Sequence, residues 1–379
     1  VTTIGFVVER PTQFEAPFFR HVAGLGDDAT LDVLFTGDSI GRATFDPELG
    51  QEVSWGFDLL AGYAHHRLPS SRQVRWLWRH LDPDRLDLVI INGYTRGPYL
   101  LTALVARARG VRTALRLDSV VQPGRMPGQL ALRRLLYRFA LRPLFDVFLA
   151  TGSLAREYLA ACGVPGERVA LFPYAIDVAG FQSRAQAALA DRGARRAALG
   201  VRSGERVVLV LAKLAGRESP WDVVEAARLS GPGITWWLAG DGPDRGRLEK
   251  LVQERGLGDR VRMLGYVPYP QLPALYAAAD LFVHPAREER WGVSVAEAMA
   301  CGLPVVASTG VGAAYDLIEP GQNGLIYEAG APERLARAVE TVLGLDAECV
   351  AQANRRILAA WDYDATWRHL LAVAGKVRT

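Results

Sequence analysis

The sequence predicts an α/β protein of two doubly wound domains, and three observations predict it. Short apolar runs alternate with amphipathic stretches along almost the whole chain, the pattern of βαβ units and parallel sheets. The alternation stops once, over residues 177–205, and then restarts. Finally, 379 residues, half of them hydrophobic, are too many for one compact core and suit two.

In the first half, apolar runs predict strands at 4–8, 31–35, 86–91, 111–116, 147–150 and 169–172. Amphipathic stretches at 74–80, 99–108, 129–141 and 155–162 predict the helices between them, joined by right-handed crossovers. Residues 177–205 are rich in Ala and Arg, lack a strand pattern and end in the polar turn Arg202-Ser203-Gly204-Glu205. They read as a helical linker. Strands are then expected at 207–211, 235–239, 261–264, 281–284, 304–307 and 324–327, and residues 361–373 read as an amphipathic helix. The domains are expected at 1–176 and 177–360, followed by the segment 361–379. In such sheets ligands sit beyond the carboxyl ends of the strands, and a cleft between two such domains is the natural active site.

Composition excludes several classes. A net charge of +3 is far from the dense basic stripe of a nucleic-acid binder. Anionic small molecules or an anionic membrane surface fit it better. Cys162, Cys301 and Cys349 lie far apart with no CxxC pair, which argues against a disulfide framework or zinc site and for a reducing cytoplasm. A strand pattern begins at Thr3, so no secretory leader is expected before it. No apolar run approaches the roughly 20 residues that span a bilayer. A soluble protein, at most peripheral at a membrane, is expected.

The richest stretch, residues 285–308, reads PAREERWGVSVAEAMACGLPVVAS. Glu289 falls in the turn after a strand, and Glu297 about one turn inside the helix expected from Ser294 to Ala300. Both can face one pocket at the helix N-terminus, where free N–H groups and the helix dipole suit a phosphate. Gly292 would let backbone approach a ligand closely. Two glutamates near a helix start can also be ordinary capping.

This pattern, E-x7-E followed by EAMACGLPVVAS, resembles the donor-site signature of retaining glycosyltransferases of family four, which have the GT-B fold. Three further segments resemble that family in the expected order: Leu238-Ala239-Gly240-Asp241-Gly242-Pro243, then VRMLGYV at 261–267, then AAADLFVHP at 277–285. Ordered motifs over about a hundred residues are more specific than any one alone. The resemblance implies two Rossmann-like domains facing each other across a cleft. The first binds an acceptor and the second a nucleotide-sugar donor, with the last helix crossing back onto the first. It also implies roles. Glu289 would bind donor-sugar hydroxyls, the backbone of Arg290, Trp291, Gly292 and Val293 would meet sugar and diphosphate, and Glu297 would hold the ribose. Gly240 marks the strand-end turn, and Gly265, Tyr266 and Val267 would meet the base.

A departing nucleotide develops negative charge, so cations should meet the diphosphate. Lys213 matches the family's basic residue after the strand at 207–211. Where a lysine usually follows, this chain has Glu218, and Arg217 is the substitute or else a solvated loop charge. Without an Asp-x-Asp at a strand end of the donor half, no metal and no cofactor are expected beyond the nucleotide-sugar co-substrate. The acceptor would be a glycan, glycolipid or small molecule.

The family's Gly-rich first loop has no glycine here, so Gln13 or Glu15 would act through side chains, unless the segment is only a proline-fixed connection. Asp118 is the candidate beside the reaction centre, either orienting the acceptor or supporting transition-state charge; a strand-end turn residue is the alternative. Asp177 carries over as a structural residue. The helix from Arg125 to Arg142 places Arg134, Arg138 and Arg142 four apart, with Leu132, Leu135, Leu136 and Phe139 on the other side. It reads either as a surface for an anionic membrane, suiting a lipid-linked acceptor, or as the solvated face of an ordinary packed helix. Trp55, Trp76, Trp78, His21, His65 and His66 read either as sugar-stacking or acceptor contacts or, for most of them, as core and surface residues, and sequence does not rank them. Two rival readings remain. One is a nucleotide-sugar-binding protein with impaired catalysis. The other is a nicotinamide-dependent oxidoreductase, for which Gly310-Val311-Gly312 begins like GxGxxG but meets Tyr315 at the third glycine.

Overall fold

A computed structural model describes residues 2–26, 29–37, 44–46, 51–53, 57–120 and 127–375. Trp55 and Arg125 lie outside these. The strands are β1 (Thr2–Val8), β2 (Ala29–Phe35), β3 (Thr44–Asp46), β4 (Gln51–Val53), β5 (His65–Arg67), β6 (Leu88–Asn92), β7 (Thr113–Leu117), β8 (Val147–Ala150) and β9 (Val169–Leu171). They continue with β10 (Arg206–Leu211), β11 (Ile234–Ala239), β12 (Val261–Gly265), β13 (Leu281–His284), β14 (Val305–Ser308) and β15 (Gly324–Tyr327).

The chain forms two compact units. One takes Val1–Arg42, Asp58–Ala175 and Trp361–Thr379, and the other Ala43–Phe57 and Ile176–Ala360. The first contains a seven-stranded sheet in the order β5-β2-β1-β6-β7-β8-β9, parallel throughout. The second contains a six-stranded parallel sheet ordered β12-β11-β10-β13-β14-β15. That is the doubly wound order, which reverses direction between β10 and β13 and opens a crevice at their carboxyl ends. Adjacent Trp236 and Trp237 project to opposite faces of β11 and are both fully buried, so both faces of this sheet are covered.

Strand β5, an edge strand beside β2, and the β3–β4 hairpin carry no apolar run and were not expected. His65 and His66 belong to β5. His66 lies 3.4 Å from Asp32, and Trp76 stacks on His80 with ring centroids 3.7 Å apart. Trp78 lies under Arg109. His21 pairs with Asp364 at 2.6 Å.

The stretch expected to be a helical linker is helical. Helices Val178–Ala188 and Arg192–Ala198 belong to the second unit. Asp177 caps the first, accepting from Gly180 N–H at 2.8 Å. Asp280 ties down the second, holding Arg192 at 2.7 Å, Arg196 at 3.0 Å and the Val207 N–H at 2.6 Å. Burial opposes its ionisation, but these donors outweigh it and its pKa lies below the ordinary value. Helix Tyr363–Gly375 packs on the first unit, with Tyr363, Trp367 and Leu370 in the core beside Phe6, Phe18 and Phe172.

The single helix expected at 129–141 is in fact α-helical over Pro127–Leu136, π-helical over Tyr137–Leu141 and α-helical again over Arg142–Leu144. The wider turn keeps both Tyr137 and Leu141 inward, at 0% and 2% exposure. The apolar side chains Leu132, Leu135, Leu136 and Phe139 do not pack. All four are exposed, while the helix packs on the core through Tyr137 and Leu141.

Candidate functional site

The crevice of the second sheet is bordered by the loops that follow β10 and β13, and both carry the charged residues singled out in the sequence. After β13, the chain turns through 285–292 and enters helix Val293–Ala300. Gly292 starts that helix at φ +94°. A Cβ there would lie 2.9 Å from Val311 Cγ1 and 3.0 Å from His284 Nε2, so both backbone angle and space require glycine.

The turn is fixed from the side by the loop after β14. Glu289 forms a parallel bridge with Val311: its N–H donates to Gly310 O at 2.8 Å, and Gly312 N–H donates to Glu289 O at 2.9 Å. The Ala313 N–H reaches Trp291 O at 2.7 Å. A Cβ on Gly312 would meet Arg290 O at 2.1 Å. The glycines that begin like a dinucleotide fingerprint are thus the support of the Glu289 turn.

The Glu289 carboxylate is half-buried. Its Oε1 accepts from Trp291 N–H at 3.3 Å, and its Oε2 lies 3.7 Å from Arg217 Nη1. Arg217 belongs to the loop after β10, whose backbone joins the turn through Arg287 N–H to Arg217 O at 2.8 Å. Its other nitrogen, Nη2, pairs with Glu218 at 3.1 Å. Arg217, although exposed, thus pairs with a carboxylate on either side. Glu218, where the family has a lysine, is buried at 4% exposure. Lys213 lies half-buried in the same loop.

Glu297 lies inside the helix at 3% exposure. Tyr276 Oη donates to its Oε2 at 3.1 Å. Its Oε1 is buried, with no partner among the described residues. Burial pushes its pKa up to about 7, against the pull of the Tyr276 and Tyr269 hydroxyls. Its partners differ from those of Glu289. His284 ends β13 at 4% exposure. Burial lowers its pKa, with Glu289 opposing and Arg217 adding to the shift. Sequence reasoning passed over it because it sits in an apolar strand.

Gly240 closes β11 with its N–H on Gly265 O at 2.8 Å. Its φ is +141° and a Cβ would lie 1.9 Å from Ala212 O, so β11, β12 and the loop after β10 meet there. Tyr266 and Val267 follow, half-buried. Arg290 is exposed, while Trp291 is buried and Val293 half-buried.

In the first unit, Glu15 corrects the sequence reading. Its carboxylate is not in an open loop but in a buried ion pair, 2.6 Å from Arg116, with the two side chains 8% and 2% exposed. The Thr12 hydroxyl accepts from Glu15 N–H at 3.1 Å, starting helix Glu15–Ala23. Arg116 also lies over the rings of Phe172 and Tyr174, at 4.6 and 4.3 Å. Tyr174 Oη in turn reaches Asp118 Oδ2 at 3.5 Å, so Asp118, following β7, stands beside this cluster. Gln13 is half-buried in the turn before the helix.

Among the described residues no three His, Cys, Asp or Glu side chains group as metal ligands, and no helix is long and apolar enough to cross a membrane.

Two family models cover most of the chain: glycosyl transferases group 1 at residues 191–356, and glycosyl transferase 4-like domain at residues 16–175. The chain belongs to the group 1 glycosyltransferases. It is similar to 2-deoxystreptamine glucosyltransferase of Streptomyces kanamyceticus, with 30% identity over 69% of this chain and 66% of that one. It is also similar to D-inositol 3-phosphate glycosyltransferase 1 of Catenulispora acidiphila, with 29% identity over 69% and 65%. The matched stretches thus span just under two thirds of either relative's own length. Among solved structures, Anabaena HepE in complex with UDP and glucose matches over 100% of both chains with a TM-score of 0.72 at 20% identity. The fold is GT-B.

Proposed function

We propose that this group 1 glycosyltransferase moves a sugar from a UDP- or GDP-sugar to a hydroxyl acceptor, with retention at the anomeric carbon and without a metal. The observation that carries the reading is Arg217 paired with Glu289 at the sheet's switch point, beside the glycine-started helix. A cation and a free helix N-terminus suit a diphosphate, and a carboxylate suits sugar hydroxyls.

In this reading Glu289 binds the donor sugar, Lys213 and Arg217 neutralise the diphosphate, and Glu297 accepts from the ribose. Residues 265–267 meet the base. The bond between the anomeric carbon and the diphosphate oxygen breaks with its electron pair on the phosphate. The acceptor oxygen bonds to the same face of the carbon, and its proton passes to a phosphate oxygen. Asp118 orients the acceptor. UDP is supported by the ligand named for Anabaena HepE. The relatives' names point to hydroxyl-bearing small molecules, and a glycan or glycolipid is the other acceptor class.

Thermal melting with UDP, GDP, ADP and NAD, each with and without EDTA, tests the donor half, since a ligand of the folded state raises the melting temperature. A shift with UDP or GDP that survives EDTA is expected; a shift with NAD alone would overturn the reading. Anomeric NMR of the product decides retention. The second reading, a nucleotide-sugar binder without turnover, is favoured by one observation, the buried carboxylate of Glu218 where a cation is usual. A UDP or GDP shift with no turnover across a panel of acceptors would select it.

A further inference from the structure

The helical run from Pro127 to Leu144 lies on the first unit with two unlike sides. Its inner side is used: Tyr137 and Leu141 are buried, and the Arg133 guanidinium donates to the Tyr158 hydroxyl. Its outer side presents Leu132 at 69% exposure, Leu135 at 54%, Leu136 at 38% and Phe139 at 68%. Spacings of three and four residues place them on one stripe. Single exposed apolar residues need no explanation, but a contiguous group marks an interaction surface.

The charge beside the stripe is mostly positive. Between Ser119 and Phe145 the sequence holds five arginines and no Asp or Glu. Arg134, Arg138, Arg142 and Arg168 line an open cavity of about 630 Å³ together with Phe139 and Cys162, with no carboxylate among the described lining residues. Arg142 Nε is buried and lacks a partner among the described residues. Arg168 loses basicity to burial and to the neighbouring Arg142, against the opposing pull of Asp146 and Glu167.

Each half of this face argues against a simpler occupant. A nucleic acid would use the arginines and leave the stripe in water. A purely apolar protein partner would bury the stripe and leave the arginines without counter-charge. An anionic lipid surface satisfies both, taking apolar side chains among its acyl chains and arginines at its phosphates. We propose that this face docks on an anionic membrane surface, with Leu132, Leu135 and Phe139 inserted and Arg134 and Arg138 at the headgroup phosphates. The exposed stripe is independent of the donor site, and so is the inference.

Flotation of the full chain with vesicles tests it. Binding is expected to phosphatidylcholine vesicles containing phosphatidylglycerol and not to phosphatidylcholine alone. Arg134→Gln with Arg138→Gln should weaken binding by roughly thirtyfold, the effect of two basic residues near an anionic surface. Leu135→Ser with Phe139→Ser should abolish it while the melting temperature stays unchanged. Should that pair lower the melting temperature, Leu132→Gln, at the most exposed position, replaces it. No binding, equal binding to both vesicles, or full binding by either variant would overturn the proposal. A dimer dissolved by the serine pair, with no vesicle binding, would overturn it in favour of a second copy of the chain.

Discussion

Arg217 and Glu289, 72 positions apart in the sequence, meet at 3.7 Å across the crevice where the second sheet reverses. The pair joins the loop after β10 to the turn after β13, so a donor diphosphate and a donor sugar would be read by partners already in contact.

Because the Arg217 side chain is 39% exposed, its ion pairs add little to stability, about 1 kcal/mol or less. Arg217→Ala should leave the melting temperature nearly unchanged while lowering kcat by roughly a hundredfold or more. Arg217→Lys should recover part of it. An alanine variant with normal kcat and donor affinity would remove Arg217 from the site.

Glu289 is fixed by backbone bonds to Gly310 and Gly312 that its side chain does not make. Glu289→Ala should therefore keep the fold, checked by melting temperature and circular dichroism, and lose turnover. Undiminished turnover would refute its role.

The raised pKa of Glu297 gives a signed pH dependence. A carboxyl whose pKa rises from its ordinary 4.5 to about 7 on folding binds more protons in the folded state. Its contribution is full below pH 4.5 and is lost as pH climbs through about 7. Glu297→Gln should remove that loss, gaining on the wild type above pH 7 by an amount on the order of 3 kcal/mol at most. Denaturant melts from pH 5 to 9 check it; parallel curves for the two proteins would refute it. Donor affinity of the wild type should rise over the same interval, because an ionised carboxylate is the stronger acceptor for ribose hydroxyls.

For Glu15 and Arg116, removing one partner leaves a charge buried. Arg116→Met should cost about 3–5 kcal/mol. Adding Glu15→Leu should restore much of it, because the double replacement leaves neither charge stranded. A loss in the double variant equal to the sum of the losses in Arg116→Met and Glu15→Leu, measured by urea unfolding, would show that the pair is not coupled.

Residue patterns conveyed most of the sheets and part of the site, for identifiable reasons. Strands β8, β13 and β15 are short, mainly apolar runs and were expected at their observed bounds, because strands of a parallel sheet covered by helices leave that trace. Strand β5 is His-His-Arg at an edge and leaves none. Glu289 and Glu297 could be singled out because they sit in one short, ordered stretch after a strand, and Arg217 because it follows another strand end. Glu15 was misread because its partner lies 101 residues away, beyond any local spacing. Periodicity showed that the helix carrying Leu132 and Phe139 had an apolar side, but periodicity does not say whether anything covers it.

The helix Tyr363–Gly375 sets an order of assembly. Its Tyr363, Trp367 and Leu370 belong to the core of the first unit, yet about 190 residues of chain separate them from Ala175, where the main body of that unit stops. At about 5–20 residues per second, a ribosome takes on the order of ten to forty seconds over that interval. During it, Phe18 and Phe172 lack part of their cover, while the second unit has nearly all its chain in hand by Ala360. The nascent protein would thus finish its later half before its earlier one, and the exposed phenylalanines are where a chaperone would find it.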